Sequence, residues 1–246
     1  MTELRVGVIG AGVMGSGIAQ TLAVAGYETV CCDSAPAALE RAKSDVVSGR
    51  FGMAAAVARG KLTREAMSAA LARLTWSETL AMAAVADLIV ECVPERLELK
   101  IRVFRELDRL AKPTAILASN TSGFSIAALA AATDRPERVV GWHWASPPPV
   151  MKFAEIVAAE HTSQTTIETV VEVARACGKN PVVVKDNAMA WGFVANRVYF
   201  AMIREARAVV DDGVATREQV NQLMVDCFRW PVGPFAMVEG ATSGWK

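Results

Sequence analysis

The chain reads as an α/β protein, a doubly wound and mostly parallel sheet followed by a small all-helical domain. Three observations carry that expectation. Apolar runs of strand length alternate with helix-length segments over most of the 246 residues. A glycine-rich turn, GAGVMG, follows the first apolar run and opens a helix. After Lys185 the strand signals stop and only helical patterns remain.

The elements follow in order. RVGVIG is a first strand, Val13–Ala25 a helix and TVCCD a second strand. Pro36 to Ala58 is helical, and Thr63 is the N-cap of a further helix over REAMSAALARL. ADLIVECV is a buried strand, RLELKIRVFRELDRL an amphipathic helix and AILASN a strand. RVVGWHW is the next strand, closed by the proline run Pro147–Pro149. MKFAEIV and PVVVK are late strands with a helix over Thr165–Cys177 between them. Strands alternating with helices imply a parallel sheet covered on both faces. NRVYFAMIREARAVVDDG and TREQVNQLMVDCF are then two helices, so the expected domains are 1–186 and 187–246.

Composition excludes several classes. Lysine plus arginine equals aspartate plus glutamate, 26 of each, which argues against nucleic acid or an anionic membrane surface as the main partner. No apolar run reaches the roughly 18 residues of a membrane span. A strand begins almost at the N-terminus, where a signal peptide would otherwise stand. Five cysteines, an odd number without a CxxC pair, suggest neither a disulfide framework nor zinc, and point to reduced thiols in a cytoplasm.

The glycine turn carries the first functional reading. Gly10 permits the tight turn, Gly12 lets the backbone approach a pyrophosphate, and Gly15 lets helix and strand pack closely. The N–H groups around Ala11, Val13 and Met14 at that helix start favour phosphate. Asp33 ends the next strand, 18 residues after Gly15, where a carboxylate binds both ribose hydroxyls and repels a 2′-phosphate. The combination predicts a Rossmann-type site for NAD rather than NADP.

Histidine is scarce, with only His143 and His161. His143 ends a strand in GWHWASPPP, near the edge of the sheet where ligands of open α/β folds bind. Glu155 follows in MKFAEIV, and a strand–loop–strand connection can bring its carboxylate against the imidazole. That arrangement suits general acid–base chemistry. A histidine between two tryptophans also fits a packed core position, and both readings stand at this point. His161, in AAEHTSQ, fits a surface loop.

Seven segments in order carry a family likeness. They are GAGVMGSGIAQ, ECVPERLELK, ASNTSG, RPERVVGWHWASPPPVMKFAEIV, GFVANRV, EARAVVDDGVATREQV and PVGPF. The chain resembles the 3-hydroxyacyl-CoA dehydrogenases over essentially its whole length. The resemblance implies that His143 takes the hydroxyl proton while C3 delivers hydride to the nicotinamide, and that Glu155 holds and polarises His143. It implies that Ser122 and Asn196 hydrogen-bond the substrate oxygen or the histidine. It places Glu95, Lys100, Ser122 and Ser146 along the NAD. A CoA thioester is the implied substrate and a homodimer the expected assembly.

The chain also departs from the family's pattern. Ser146 stands where the family has Asn, and Gly49 and Ala56 stand where its helical hairpin supplies Ser and Lys to CoA, with Arg50, Arg59 and Lys61 nearby. DNAMAWGF is about three residues longer than the family's usual connection, and the sequence stops at GATSGWK, where relatives continue with further helices. Two alternatives therefore stay open. One is an NAD-dependent dehydrogenase of a small non-CoA hydroxy acid or alcohol, of the carnitine, sugar-acid or pyridine-carboxylate type. The other is a non-catalytic, NAD-binding structural protein.

Overall fold

The computed structural model describes residues 4–243. It divides into two compact units, residues 1–193 and 194–246, with the seam at Phe193 and Val194.

The first unit is built on an eight-stranded sheet of order β3-β2-β1-β4-β5-β6-β7-β8. β1 (Val6–Ile9) lies between β2 (Thr29–Cys32) and β4 (Leu88–Glu91). β3 (Leu74–Ser77) forms one edge. β5 (Ile116–Ser119) and β6 (Val139–Trp144) extend the parallel set beyond β4. β7 (Phe153–Ala158) reverses direction against β6, and β8 (Asn180–Lys185) runs parallel to β7 at the far edge. The order switches direction between β1 and β4, which opens the crevice where open α/β sheets bind ligands.

Strand period sorts side chains between two buried clusters. Val6, Val8, Leu88, Val90, Val140, Trp142 and Trp144 face α1 (Val13–Val24), α2 (Pro36–Ser48), α4 (Arg64–Ala72) and α8 (Gln164–Ala176). Ile9, Ile89, Leu117, Val139 and Val157 face α5 (Leu80–Ala84), α6 (Leu97–Leu110) and α7 (Ile126–Ala130). Alternate residues go to opposite faces because successive Cβ atoms point to opposite sides of a strand. In GWHW the two tryptophans therefore enter one core, with ring centroids 4.9 Å apart, and His143 goes to the other face.

Several elements differ from the sequence expectation. The single helix expected over Pro36–Ala58 is two, because the chain folds back at Gly49–Gly52 before α3 (Met53–Ala58). A Cβ on either Gly49 or Gly52 would lie 2.6 Å from the Asp45 carbonyl oxygen, so only glycine passes there. Strand β3 and helices α5 and α7 carry four or five residues each, too few to show a period. Among the described residues the second unit holds three helices, α9 (Ala195–Asp211), α10 (Arg217–Phe228) and α11 (Pro234–Ser243), against the two expected. Thr216 opens α10 with a capping box completed by Gln219. No helix among the described residues is long and apolar enough to cross a membrane.

Candidate functional site

The glycine turn lies at the switch point between β1 and β4. Gly10 has φ +100°, a conformation open to glycine, and a Cβ there would meet the Cys92 carbonyl oxygen at 2.7 Å. A Cβ on Gly15 would lie 1.7 Å from the Gly10 carbonyl oxygen, so α1 sits on β1 at backbone contact. Gly12 is the opposite case. Its Cβ would meet nothing within 4 Å, which leaves open space above the start of α1. No side chain caps that helix, so its first-turn N–H groups face this space.

Asp33, at the end of β2, is tied to the turn. Its Oδ2 accepts the Ala11 N–H at 2.8 Å, and its Oδ1 accepts the Ala35 N–H at 2.9 Å. Each oxygen keeps acceptor capacity for a further donor. Ala11 is itself buried, so its amide fixes Asp33 while Gly12, Val13 and Met14 form the open start of the helix.

A buried polar network runs from β4 to the loop after β5. Glu91, fully buried at the end of β4, accepts Lys100 Nζ at 2.8 Å on Oε1 and Ser119 Oγ at 2.6 Å on Oε2. The Val93 N–H adds a third bond at 2.7 Å. Lys100 also faces Glu95 Oε2 at 3.2 Å. Glu95 Oε1 in turn accepts Thr121 Oγ1 at 2.5 Å and the Ser122 N–H at 2.9 Å. Burial pushes the Glu91 carboxyl above the ordinary range, and Lys100, Ser119 and the Val93 amide pull against that shift. Lys100 is buried beneath this loop, with Glu95 between it and the surface.

The histidine lies one strand further along. β6 and β7 pair antiparallel with His143 directly opposite Glu155, and Nδ1 is 2.8 Å from Glu155 Oε2. Opposite an ionised carboxylate, which only accepts, Nδ1 would be the donor and Nε2 the nitrogen left over. The imidazole stands edge-on to Phe153, with centroids 5.2 Å apart at 85°, and 5.9 Å from Phe193. Asn120 Oδ1 accepts the Trp144 N–H at 3.0 Å and holds the end of β6 beside the Thr121–Ser122 loop. Beyond β6, Lys179 Nζ donates to the carbonyl oxygens of Pro148 and Met151, at 2.6 and 2.7 Å, and pins the proline loop that carries exposed Ser146. Burial lowers the Lys179 pKa.

The expected residues other than Asn196 thus lie along one edge of the sheet, from Gly10 and Asp33 through Glu95 and Ser122 to His143 and Glu155, while Asn196 lies in the first turn of α9 in the second unit. Sequence reasoning missed Glu91, Ser119, Asn120, Thr121 and Lys179. The signals were faint but present, since ECVPERLELK carries an acid at the end of a buried strand and ASNT packs four polar or small residues after another.

Two family models match the chain. The NAD binding domain of 3-hydroxyacyl-CoA dehydrogenase matches residues 5–187, and its C-terminal domain matches residues 192–245. The chain belongs to the 3-hydroxyacyl-CoA dehydrogenase family. It is 39% identical over 232 residues to a probable 3-hydroxybutyryl-CoA dehydrogenase of Bacillus subtilis, covering 94% of this chain and 79% of that protein. It is 37% identical to a 5-formyl-3-hydroxy-2-methylpyridine 4-carboxylate 5-dehydrogenase of Mesorhizobium japonicum, covering 93% and 71%. Among solved structures, an (S)-3-hydroxybutyryl-CoA dehydrogenase from Ralstonia eutropha superposes with a TM-score of 0.90 at 36% identity, covering 95% and 81%. This family member is an NAD-dependent oxidoreductase. Its own residues fit the cofactor, with open space above Gly12 for a diphosphate and a Gly10–Gly15 contact that admits no side chain between strand and helix.

Two predictions follow from these geometries. Lys100→Met leaves Glu91 buried without its cation and is expected to cost about 3–5 kcal/mol of stability near neutral pH. The double variant Glu91→Gln/Lys100→Met recovers most of that loss. The folded Lys100→Met protein holds Glu91 protonated to higher pH than the unfolded chain does. Its deficit is therefore full above that raised pKa and shrinks as the pH falls through it, which denaturant melts across the acid range would read. The second prediction concerns Asp33. NAD is expected to bind at least ~10-fold more tightly than NADP, about 1.4 kcal/mol, with Asp33→Ala narrowing the gap mainly by weakening NAD. Titration of tryptophan fluorescence with each cofactor checks it, and equal dissociation constants would remove Asp33 from the ribose.

Proposed function

We propose that the protein transfers hydride between NAD and C3 of a 3-hydroxyacyl-CoA, with His143 as general acid–base and Glu155 as the group that orients it. The observation carrying this reading is the cross-strand His143–Glu155 pair, with Nδ1 to Oε2 at 2.8 Å and both residues buried at the end of the cofactor edge. A donating Nδ1 leaves the Nε2 lone pair to accept the C3 hydroxyl proton as that carbon gives up its hydride. In the reverse direction Nε2–H returns the proton to the carbonyl oxygen. Glu155 stabilises the imidazolium formed in between, as general acid–base catalysis requires. NAD, when bound, supplies the two-electron acceptor. Ser122, whose backbone Glu95 holds, is the proposed hydrogen-bond partner of the reacting oxygen, and the family resemblance alone adds Asn196.

The surface near the replaced hairpin positions supports a CoA thioester. A groove of about 630 Å³ is lined by apolar Phe51, Met53, Ala56 and Val150, with Arg59 and Lys61 among its lining residues. An apolar wall beside two cations suits a nucleotide with phosphates. The competing reading is a small carboxylated alcohol without CoA, favoured by Gly49 and Ala56 at those positions and by the Mesorhizobium relative's pyridine carboxylate substrate. The five cysteines form no disulfide, in keeping with a cytoplasmic enzyme. A homodimer is proposed on the exposed apolar residues Val198, Phe200, Leu223 and Phe228 of α9 and α10.

Two experiments test these readings. His143→Gln is expected to lower kcat by ~10²–10⁴ while NAD affinity holds, and Glu155→Gln to lower it less. Near-normal turnover in His143→Gln would return the residue to a packing role. Turnover should be followed by NADH absorbance with acetoacetyl-CoA and with free hydroxy acids, free CoA being added as competitor. Inhibition by free CoA supports the thioester, and its absence the smaller alcohol. Light scattering of the full chain should give twice the monomer mass, and an active monomer would sink the dimer.

A further inference from the structure

The longer connection DNAMAWGF forms a strap, and the function proposed above does not use it. The strap leaves the sheet at β8 and is anchored at its start. Asp186 Oδ2 accepts both Ser125 Oγ and the Ala127 N–H, each at 2.8 Å, at the head of α7. At its other end Gly192, at φ +86°, donates its N–H to the Gly123 carbonyl oxygen at 3.2 Å. That contact has no slack. A Cβ on Gly123 would lie 2.2 Å from the Gly192 nitrogen and 2.8 Å from Trp191 Cε2. Gly123 directly follows Ser122, so the strap rests on the loop that carries the proposed oxygen-binding hydroxyl. The next residue, Phe193, is 6% exposed and brings its ring 5.9 Å from the His143 imidazole, tilted at 59°.

A single hydrogen bond fixes one point of the imidazole. Glu155 holds Nδ1, but a five-membered ring held at one atom still tilts about that contact, and tilting swings Nε2 away from the reacting oxygen. Two further surfaces are needed to fix the plane. Phe153 supplies one from β7, edge-on at 85°. Phe193 supplies the other from the strap. The same strap meets the Ser122 loop through Gly123, so it sets the spacing between the histidine and the serine.

We infer that Phe193 is a positioning residue for His143, held in register with Ser122 by the Gly192–Gly123 contact. The inference rests on the acid–base reading of His143, and its test separates the two. Phe193→Leu keeps the apolar bulk and removes the ring. It is expected to lower kcat ~10-fold, less than the ~10²-fold of a full ~1 Å misplacement because Glu155 and Phe153 still hold the ring, with KM and NAD affinity within about twofold. Phe193→Tyr restores the ring and most of the rate. The chain has only two histidines, so a His161→Gln background assigns the His143 ring signals in NMR spectra. In that background, Phe193→Leu should move the His143 carbon-bound ring protons and speed solvent exchange of the Nδ1 proton.

Full kcat in Phe193→Leu, alongside a crippled His143→Gln, overturns the inference and leaves the acid–base reading standing. Normal turnover in His143→Gln overturns both. Loss of melting temperature alone, with kcat and ring signals unchanged, also overturns it. Should the Leu variant not fold, the unsubstituted protein decides: cross-relaxation between the Phe193 and His143 rings supports the inference, and its absence refutes it.

Discussion

The direction of one strand governs the rest of the site. Through β6 every pairing in the sheet is parallel, and β7 then turns back on β6. In an antiparallel pair, residues directly opposite share a face and lie within side-chain reach across the ladder. The reversal sets Glu155 against His143 with no loop to hold either, so the geometry is fixed by backbone hydrogen bonds. A site carried on strands is defined more tightly than one carried on loops. The Trp142 and Trp144 rings on the opposite face then become structural, because they fill the core that keeps β6 flat against α8.

Charge inside the sheet is handled by the same economy of position. Glu91 stands at the end of a strand with every neighbour within a side chain's length, and Lys100 reaches it from one turn into α6. An unpaired carboxylate or a lone ammonium at that depth would be costly. Together they make a short polar wall between β4 and β5 that ends on the Thr121–Ser122 loop through Glu95. The wall gives the loop a defined height above the sheet.

Much of this was legible in the residues. The strand–helix alternation, the glycine turn and Asp33 each carry a local physical demand, and such demands are visible without contacts. The His143–Glu155 pair was legible too, as a spacing consistent with a hairpin-like connection. The break at Gly49–Gly52 was not, since each glycine alone is tolerated in a helix and only the approach to Asp45 decides. Lys179 was hidden for a similar reason. Its amino group serves the carbonyl oxygens of Pro148 and Met151, and carbonyl acceptors leave no mark in sequence. Asn120 stood only as the last residue of the expected strand AILASN, and its bond to the Trp144 amide becomes visible once β5 and β6 lie side by side.

The Asp33–Ala11 hydrogen bond bears on how the glycine turn receives a nucleotide. It joins the end of β2 to the glycine turn through groups of the protein alone, so the mouth of the crevice has its shape before any nucleotide arrives. The ordering entropy is spent once, during folding, rather than at each encounter. A dinucleotide that enters such a mouth finds its donors already aimed, and departure leaves nothing to collapse. The binding energy of the dinucleotide then goes into its own contacts, with no share needed to order the turn.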